Sequence, residues 1–243
     1  MKTLGILGGM SAESTVEYYN RINRGVNQAL GGHEHPRMFV YSANLGEVFG
    51  WLEGKDLAPL GDHLGEAAVQ LERGGADFMI MACNTAHLVA PSIEERLGIP
   101  FVHIADALAE ELQRASVQRV GLLGISMTVE APFFRERLGE RYGIEVLTPG
   151  AEDKAEVDRV IRDELCFHRL EEASRESLTA IVRRLGEQGA EAVALVCTEL
   201  SLLLPGDHVA GLRSFDSMAI HVAQAVEFAL EERSLDTVGE LAA

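Results

Sequence analysis

The regular alternation of short apolar runs with longer amphipathic segments is the feature that most restricts the fold of this chain. The segments between the runs, such as LGEAAVQLERGG and LTAIVRRLGEQG, have apolar residues at helical spacing and end at a glycine, a common helix stop. Because parallel neighbouring strands need a crossover helix, the alternation predicts an α/β fold with mostly parallel sheets. The apolar runs lie at 3–9, 37–44, 77–83, 99–106, 119–126, 144–150, 192–197 and 211–217.

Three sequence markers occur twice in the same order. GILGGMS at 5–11 is similar to GLLGISMT at 121–128, and HIAD, ending at Asp106, is similar to SFDS, which contains Asp216. A Gly-Ala pair begins eight residues before Cys83 and a proline follows eight residues after it, and the same spacing surrounds Cys197. The repetition predicts two similar halves.

Cys83 and Cys197 each lie where an apolar run gives way to polar residues. Ligands of open parallel sheets bind beyond the carboxyl ends of the strands, so two facing halves would bring one thiol each to a common cleft. Backbone N–H groups at the start of the following helices favour a carboxylate, so the cleft should hold an anion. The residues that would supply these groups are Asn84, Thr85, Thr198 and Glu199.

Two opposed thiols suit the removal of a proton from one face of a carbon atom and its return to the other face. A free thiol is only slightly ionised at neutral pH, so one must be activated as the base while the other stays protonated as the acid. The two roles exchange in the reverse direction. The pattern therefore predicts a racemisation that needs no cofactor.

Composition excludes several classes of partner. The 21 basic and 38 acidic side chains give a formal charge of -17, which repels nucleic acid and anionic membranes. We find neither a signal-peptide pattern nor an apolar run of about 18 residues, and we expect a soluble, cytoplasmic protein. Three scattered cysteines suit free thiols in a reducing compartment, and the eight histidines show no metal-ligand spacing.

Several residues have a simpler structural interpretation beside the functional one. We expect Cys166 to be a small buried apolar residue on a helix. His87, four residues after Cys83, either donates a hydrogen bond into the site or has a packing or surface role. Glu199 either orients Cys197 or caps its helix. The LGGMS segment is best interpreted as a tight turn that also contacts substrate, since it lacks both nucleotide-binding glycine patterns.

The motifs GILGGMS, ACNTAH at 82–87 and VCTEL at 196–200 together resemble the pyridoxal-independent aspartate/glutamate racemase family, over residues from about 1 to 230. The resemblance implies two Rossmann-like halves with parallel sheets, related by a pseudo-twofold axis, with the active site between them. The last helix would return to the first half. The first half is then 1–108 plus 217–243, the second is 109–216, and the protein is a homodimer.

The resemblance also implies roles for individual residues. Cys83 and Cys197 would be the two catalytic acid/bases, and Met10 and Ser11 would line the cleft. The α-carboxylate would be held by Asn84, Thr85 and Thr198. Glutamate racemases resemble GCTHYP at the second motif, whereas this chain has Glu199 there, as in the aspartate racemase branch.

The substrate is expected to be a small-molecule amino acid, either aspartate or one of a broader set. Aspartate-selective members resemble one another in an arginine after the second strand and a lysine in the second half. Here YSANLGEVFGWLEG has no basic residue before Lys55, and Cys166 stands about where the lysine is expected. Both catalytic thiols are present, so we predict racemisation in both directions.

Two other groups of functions stay open on sequence grounds. One is a related reaction on the same scaffold, such as maleate isomerisation, hydantoin racemisation or decarboxylation of a substituted malonate. The other is a non-catalytic amino-acid-binding protein or a thiol redox protein. The lack of a C-x-x-C pair weighs against the redox function.

Overall fold

Each apolar run of the sequence contains a β-strand in the computed structural model, which describes residues 1–54 and 57–231. The run at 99–106 supplies only two strand residues, because the His103 side chain accepts a hydrogen bond from the Ala105 N–H and a helix begins there. The strands are β1 (Leu4–Gly8), β2 (Met38–Ser42), β3 (Phe78–Met81), β4 (Phe101–Val102), β5 (Arg119–Leu123), β6 (Glu145–Leu147), β7 (Ala192–Leu195), β8 (His208–Val209) and β9 (Leu212–Asp216).

Helices connect the strands, as the alternation predicts. Short 3₁₀ turns lie at Thr85–Val89 and Leu165–Phe167, and a π turn lies at Arg137–Arg141. Within the described ranges, no helix is both long enough and apolar enough to cross a bilayer. The helices are α1 (Ala12–Leu30), α2 (Leu45–Glu53), α3 (Leu57–Arg73), α4 (Ala90–Glu94), α5 (Ile104–Arg114), α6 (Ser126–Val129), α7 (Pro132–Glu136), α8 (Ala151–Asp163), α9 (Glu172–Glu187), α10 (Leu200–Leu203) and α11 (Ser217–Leu230).

The chain divides into two units, each with its own sheet. The second unit takes in three short segments that the sequence analysis had assigned to the first half, 83–91, 103–108 and 217–221. The described parts of the first unit are 1–54, 57–82, 92–102 and 222–231, and the second unit comprises 83–91 and 103–221.

The first unit is built on a four-stranded parallel sheet in the order β2-β1-β3-β4. Helix α1 approaches the end of α11 closely, since a Cβ on Gly25 would lie 2.7 Å from the Val226 side chain. The ring centroids of Phe78 and Phe228 are 5.3 Å apart. The end of α11 therefore forms part of this unit's core.

The second unit is built on a five-stranded sheet in the order β6-β5-β7-β9-β8, parallel except for the β8–β9 pair. Alternate residues of its strands enter two different cores. Val120 and Leu122 pack with α5 on one side, whereas Leu123 and Val193 pack with α8 and α9 on the other. This period of two is what a sheet covered by helices on both faces requires. The predicted α/β fold with mostly parallel sheets is confirmed.

The repeat seen in the sequence is also present in the backbone. Helices α3 and α9 end in the same Schellman arrangement, with Gly75 (φ +103°) and Gly189 (φ +100°) in the left-handed region. The N–H of the residue after each glycine bonds the carbonyl five residues back, Ala76 to Leu71 and Ala190 to Leu185, at 3.2 and 3.0 Å. The two helices thus turn into β3 and β7 in the same way.

Candidate active site

The two predicted catalytic cysteines occupy equivalent positions at strand ends. Cys83 lies two residues after the end of β3, and Cys197 lies two residues after the end of β7. Both belong to the second unit, and both residues are half-buried. The helices that follow are short, five residues of 3₁₀ helix and four of α-helix, so individual N–H groups matter more here than a helix dipole.

The Cys83 sulfur lies within the turn that follows β3. The backbone N–H groups of Thr85 and Ala86 hydrogen-bond to it and lower its pKa, because they favour the thiolate. Burial acts in the opposite direction and is the largest effect, and the charge of Glu199 adds to it. The net result is a pKa above the ordinary value for a thiol.

The Cys197 thiol faces a carboxylate. Its Sγ donates a hydrogen bond to Glu199 Oε2 at 3.0 Å, and the Thr198 hydroxyl donates to the same oxygen at 2.7 Å. Burial raises the pKa of Cys197 most, and the negative charge and the hydrogen-bond acceptance of Glu199 raise it further, to well above the ordinary value. Of the two interpretations of Glu199, this geometry favours orientation of Cys197, since its side chain makes no helix-capping hydrogen bond.

Asn84 and Thr85 have polar partners that the sequence analysis did not identify. The Asn84 amide donates to the Ser217 hydroxyl at 3.2 Å, and the hydroxyls of Thr85 and Thr128 are 2.7 Å apart. Both partners are buried, and both end repeated markers, SFDS and GLLGISMT. That coincidence was the available signal, because each repeated marker carries polar residues just beyond the end of a strand, where ligands of parallel sheets bind.

His87 supports the turn that carries Cys83. Its ring is buried, its Nδ1 lies 2.8 Å from the Cys83 carbonyl oxygen, and the Ile104 N–H donates to its Nε2 at 3.4 Å. Because Nε2 accepts, Nδ1 carries the proton and donates to the carbonyl. Burial, helped by His221 and Arg137, lowers the pKa of His87 to about 3, so the ring is neutral at physiological pH.

Met10 and Ser11 lie in the first unit, at the turn between β1 and α1. Gly9 adopts φ +84°, and a Cβ there would lie 2.2 Å from the Ala43 backbone nitrogen, so the turn requires glycine. Met10 is buried, and the Ser11 hydroxyl caps α1 by accepting from the Ser14 N–H at 3.2 Å. The tight-turn interpretation of LGGMS is confirmed, and the substrate contact stays a prediction.

The prediction that Cys166 is a buried apolar residue is wrong. It is exposed on the 3₁₀ turn Leu165–Phe167, beside a phenylalanine that is also exposed. The preceding helix α8 ends at Asp163, so Cys166 lies outside it and the helical spacing of apolar residues does not apply to this position. Among the residues that the structure describes, no group of three or more His, Cys, Asp or Glu side chains is placed to hold a metal ion.

The structure has two mostly parallel sheets, and a cysteine lies two residues beyond one strand of each sheet. These features define the class of the protein as an α/β protein with paired cysteine motifs. The model of the Asp/Glu/Hydantoin racemase family matches residues 7–225, and the chain belongs to this family.

Solved structures and curated relatives agree with this assignment. A Yersinia pestis protein assigned to the Asp/Glu racemases is 38% identical with a TM-score of 0.90, and the match covers 95% of this chain and 100% of that one. An aspartate racemase homologue from Pyrococcus horikoshii OT3 is 35% identical with a TM-score of 0.82 and the same coverage. The broad specificity amino-acid racemase RacX of Bacillus subtilis (strain 168) is 27% identical over 138 residues, 56% of this chain and only 60% of RacX.

Proposed function

We propose that the protein is a cofactor-independent amino-acid racemase that interconverts the L and D enantiomers of aspartate or of a broader set. The observation that carries the proposal is the matched placement of Cys83 and Cys197, each half-buried and two residues beyond a parallel strand. The charge of one carboxylate, Glu199, acts on both thiols. Relatives named as a broad specificity amino-acid racemase, a glutamate racemase and an aspartate racemase homologue support an amino acid as substrate.

The chemistry is a two-base proton transfer. The thiolate of one cysteine takes the α-proton, and the electron pair of the C–H bond stays on the α-carbon and spreads into the adjacent carboxylate. The thiol of the other cysteine then protonates the opposite face and becomes the thiolate. Hydrogen-bond donors at the carboxylate stabilise this charge as it develops, which is where such donors accelerate a reaction most.

The donors that we propose for the α-carboxylate are the groups around the two strand ends, Asn84, Thr85 and the backbone N–H of Thr198, whose hydroxyl donates to Glu199. The Thr85–Thr128 pair suits this task, since only one of two bonded hydroxyls donates within the pair and the other O–H is left for a further acceptor. Met10, Ser11 and Glu199 remain proposed contacts of the substrate.

We further propose a homodimer that acts in the cytoplasm. Strand β2 is at the edge of its sheet and exposes Phe39 and Val40, and an exposed apolar edge strand favours association with a second chain. Three cysteines without disulfides suit a reducing compartment.

The decisive experiment is proton NMR of the purified protein in deuterated buffer, without added cofactor, against L- and D-amino acids including aspartate, glutamate and several neutral ones. Loss of the α-proton signal together with appearance of the opposite enantiomer, measured by chiral chromatography, is the expected result. Failure to exchange any α-proton would overturn the proposal and direct attention to maleate, hydantoin and substituted malonate substrates.

A further inference from the structure

We propose that Cys83 ionises before Cys197 in the substrate-free enzyme, so that Cys83 begins as the base, and that Glu199 is the positioning residue that maintains this asymmetry. The inference rests on the proposed two-thiol function and adds which thiol begins as the base. It arises from the different surroundings of two sulfur atoms that occupy matching positions in the fold.

The surroundings of Cys197 favour a protonated thiol. A carboxylate oxygen 3.0 Å from Sγ needs a hydrogen atom between them, and a thiolate at the same place would put two negative charges in contact. The Thr198 hydroxyl donates to the same oxygen at 2.7 Å and so holds the carboxylate in position. Glu199 is half-buried, so solvent screens this interaction only in part.

The surroundings of Cys83 stabilise a thiolate more than those of Cys197 do. Two backbone N–H donors, from Thr85 and Ala86, point at its sulfur, and such donors stabilise the ionised form. The Cys197 sulfur receives one backbone donor, the N–H of Glu199, and it faces the carboxylate of the same residue. The turn that carries these donors is fixed by the buried His87 ring, which donates to the Cys83 carbonyl at 2.8 Å. Glu199 acts on this sulfur only through its charge and as the smallest of the effects on its pKa.

The asymmetry has a kinetic consequence. After each turnover that begins with Cys83 as the thiolate, Cys83 holds a proton and Cys197 is a thiolate beside Glu199, so the protein must pass the proton back before it can repeat the same direction. Because the two enantiomers are equal in free energy, their kcat/KM values stay equal whatever Glu199 does. The asymmetry must therefore be measured on the thiols themselves and not on the ratio of the two directions.

The test is the rate of alkylation by iodoacetamide as a function of pH, without substrate, followed by mass spectrometry. Each cysteine falls on its own tryptic peptide, so the two thiols are measured separately in one sample. The exposed Cys166, whose charge also acts on Cys197, is left in place and is followed on its own tryptic peptide in the same sample. The midpoint of each rate profile gives the thiol pKa independently of how accessible the sulfur is, because only the thiolate reacts.

We expect the midpoint for Cys83 to lie below that for Cys197. Glu199→Gln should lower the Cys197 midpoint by roughly one to three pH units and the Cys83 midpoint by less. Glu199→Asp keeps the charge and should keep most of the elevation. Glu176→Gln, which removes the same charge from an exposed position on α9, is the matched control and should move neither midpoint.

A Cys197 midpoint at or below that of Cys83 overturns the inference. A Glu199→Gln variant whose Cys197 midpoint equals that of the unsubstituted protein overturns it as well. The first comparison uses the unsubstituted glutamate, so it decides the matter even where Glu199→Gln does not fold. The proposed racemase function is judged separately by α-proton exchange, so one can fail while the other holds.

Discussion

At the scale of single residues, equivalent positions in the fold do not give equivalent chemistry. Cys83 and Cys197 stand at the same distance beyond β3 and β7, and both sulfurs receive backbone N–H groups, yet only the Cys197 thiol donates to a carboxylate. The sequence predicts both positions, because an apolar run followed by polar residues marks a strand end. It left the role of Glu199 open, because only the side-chain geometry separates orientation of Cys197 from helix capping.

Replacing either of the two proposed catalytic cysteines by serine should abolish racemisation while the fold is kept. A serine hydroxyl is a far weaker acid than a thiol, and the loss of a positioned acid or base costs about 10²- to 10⁴-fold in rate. Racemisation is measured by circular dichroism or chiral chromatography with Cys83→Ser and Cys197→Ser. Glu176→Gln, at an exposed position on α9, is the control and should retain turnover. Full two-way turnover in either catalytic variant would exclude the two-base mechanism.

The buried histidines should make the stability of the second unit depend on pH. Burial lowers the pKa of His87 to about 3 and holds that of His103 far below its ordinary value, near 6.5, which the unfolded chain regains. Below about pH 6.5 the unfolded chain binds protons that the folded protein does not. The stabilisation is therefore complete above that pH and is lost as the pH falls toward 3, by about 1.4 kcal/mol per pH unit for each group.

His87→Gln should make this loss of stability shallower by roughly 1 kcal/mol per pH unit between pH 6 and 5, since one of the two groups no longer titrates. Urea unfolding at several pH values measures the slope. The control is His208→Gln at an exposed position, which should not alter it. An identical slope for His87→Gln and the unsubstituted protein would show that the ring is protonated in the folded state.

At the scale of elements, two glycine-capped helices set the geometry that brings each strand to its cysteine. Gly75→Ala and Gly189→Ala should each cost about 1–2 kcal/mol, because alanine is strained at positive φ. The second should cost at least as much as the first, since its Cβ would lie 2.3 Å from Arg119 Nη1, whereas the first meets nothing nearer than 4.0 Å.

Chemical denaturation measures the two losses against Gly50→Ala inside α2. That Cβ meets nothing within 4 Å and its backbone is helical, so the substitution should be neutral or stabilise by up to about 1 kcal/mol. If Gly75→Ala and Gly189→Ala behaved like this control, the left-handed caps would contribute nothing to stability.

The strands, the parallel sheets and the glycine stops could be predicted because each is a local pattern of apolar period and backbone freedom. The start of α5 at residue 104 could not be predicted from the sequence, because it depends on a hydrogen bond from the helix backbone to the His103 side chain. The pairs Asn84–Ser217 and Thr85–Thr128 join residues 133 and 43 positions apart, and no local pattern records such contacts. The exposure of Cys166 follows from a helix end that its sequence does not signal.

At the scale of the whole molecule, the formal charge of -17 should affect which amino acids reach the site. The Debye length falls from about 30 Å at 0.01 M salt to about 8 Å at 0.15 M, so salt screens the repulsion of an anionic substrate. The ratio of kcat/KM for aspartate to that for a neutral amino acid should rise by roughly two- to tenfold over this range. A ratio that does not change with salt would contradict this prediction, because it would show that charges near the site cancel the repulsion from the net negative charge.

The first unit contains both the start of the described chain and residues close to position 231. The Lys2 N–H donates to the Ala229 carbonyl at 2.9 Å, and Gly25 on α1 leaves just enough room for Val226. During synthesis on the ribosome, every residue of the second unit has been added before residues 222–231 follow. The unit that is begun first is therefore completed last, and Gly25 of α1 and Phe78 of β3 are synthesised long before Val226 and Phe228, which pack against them.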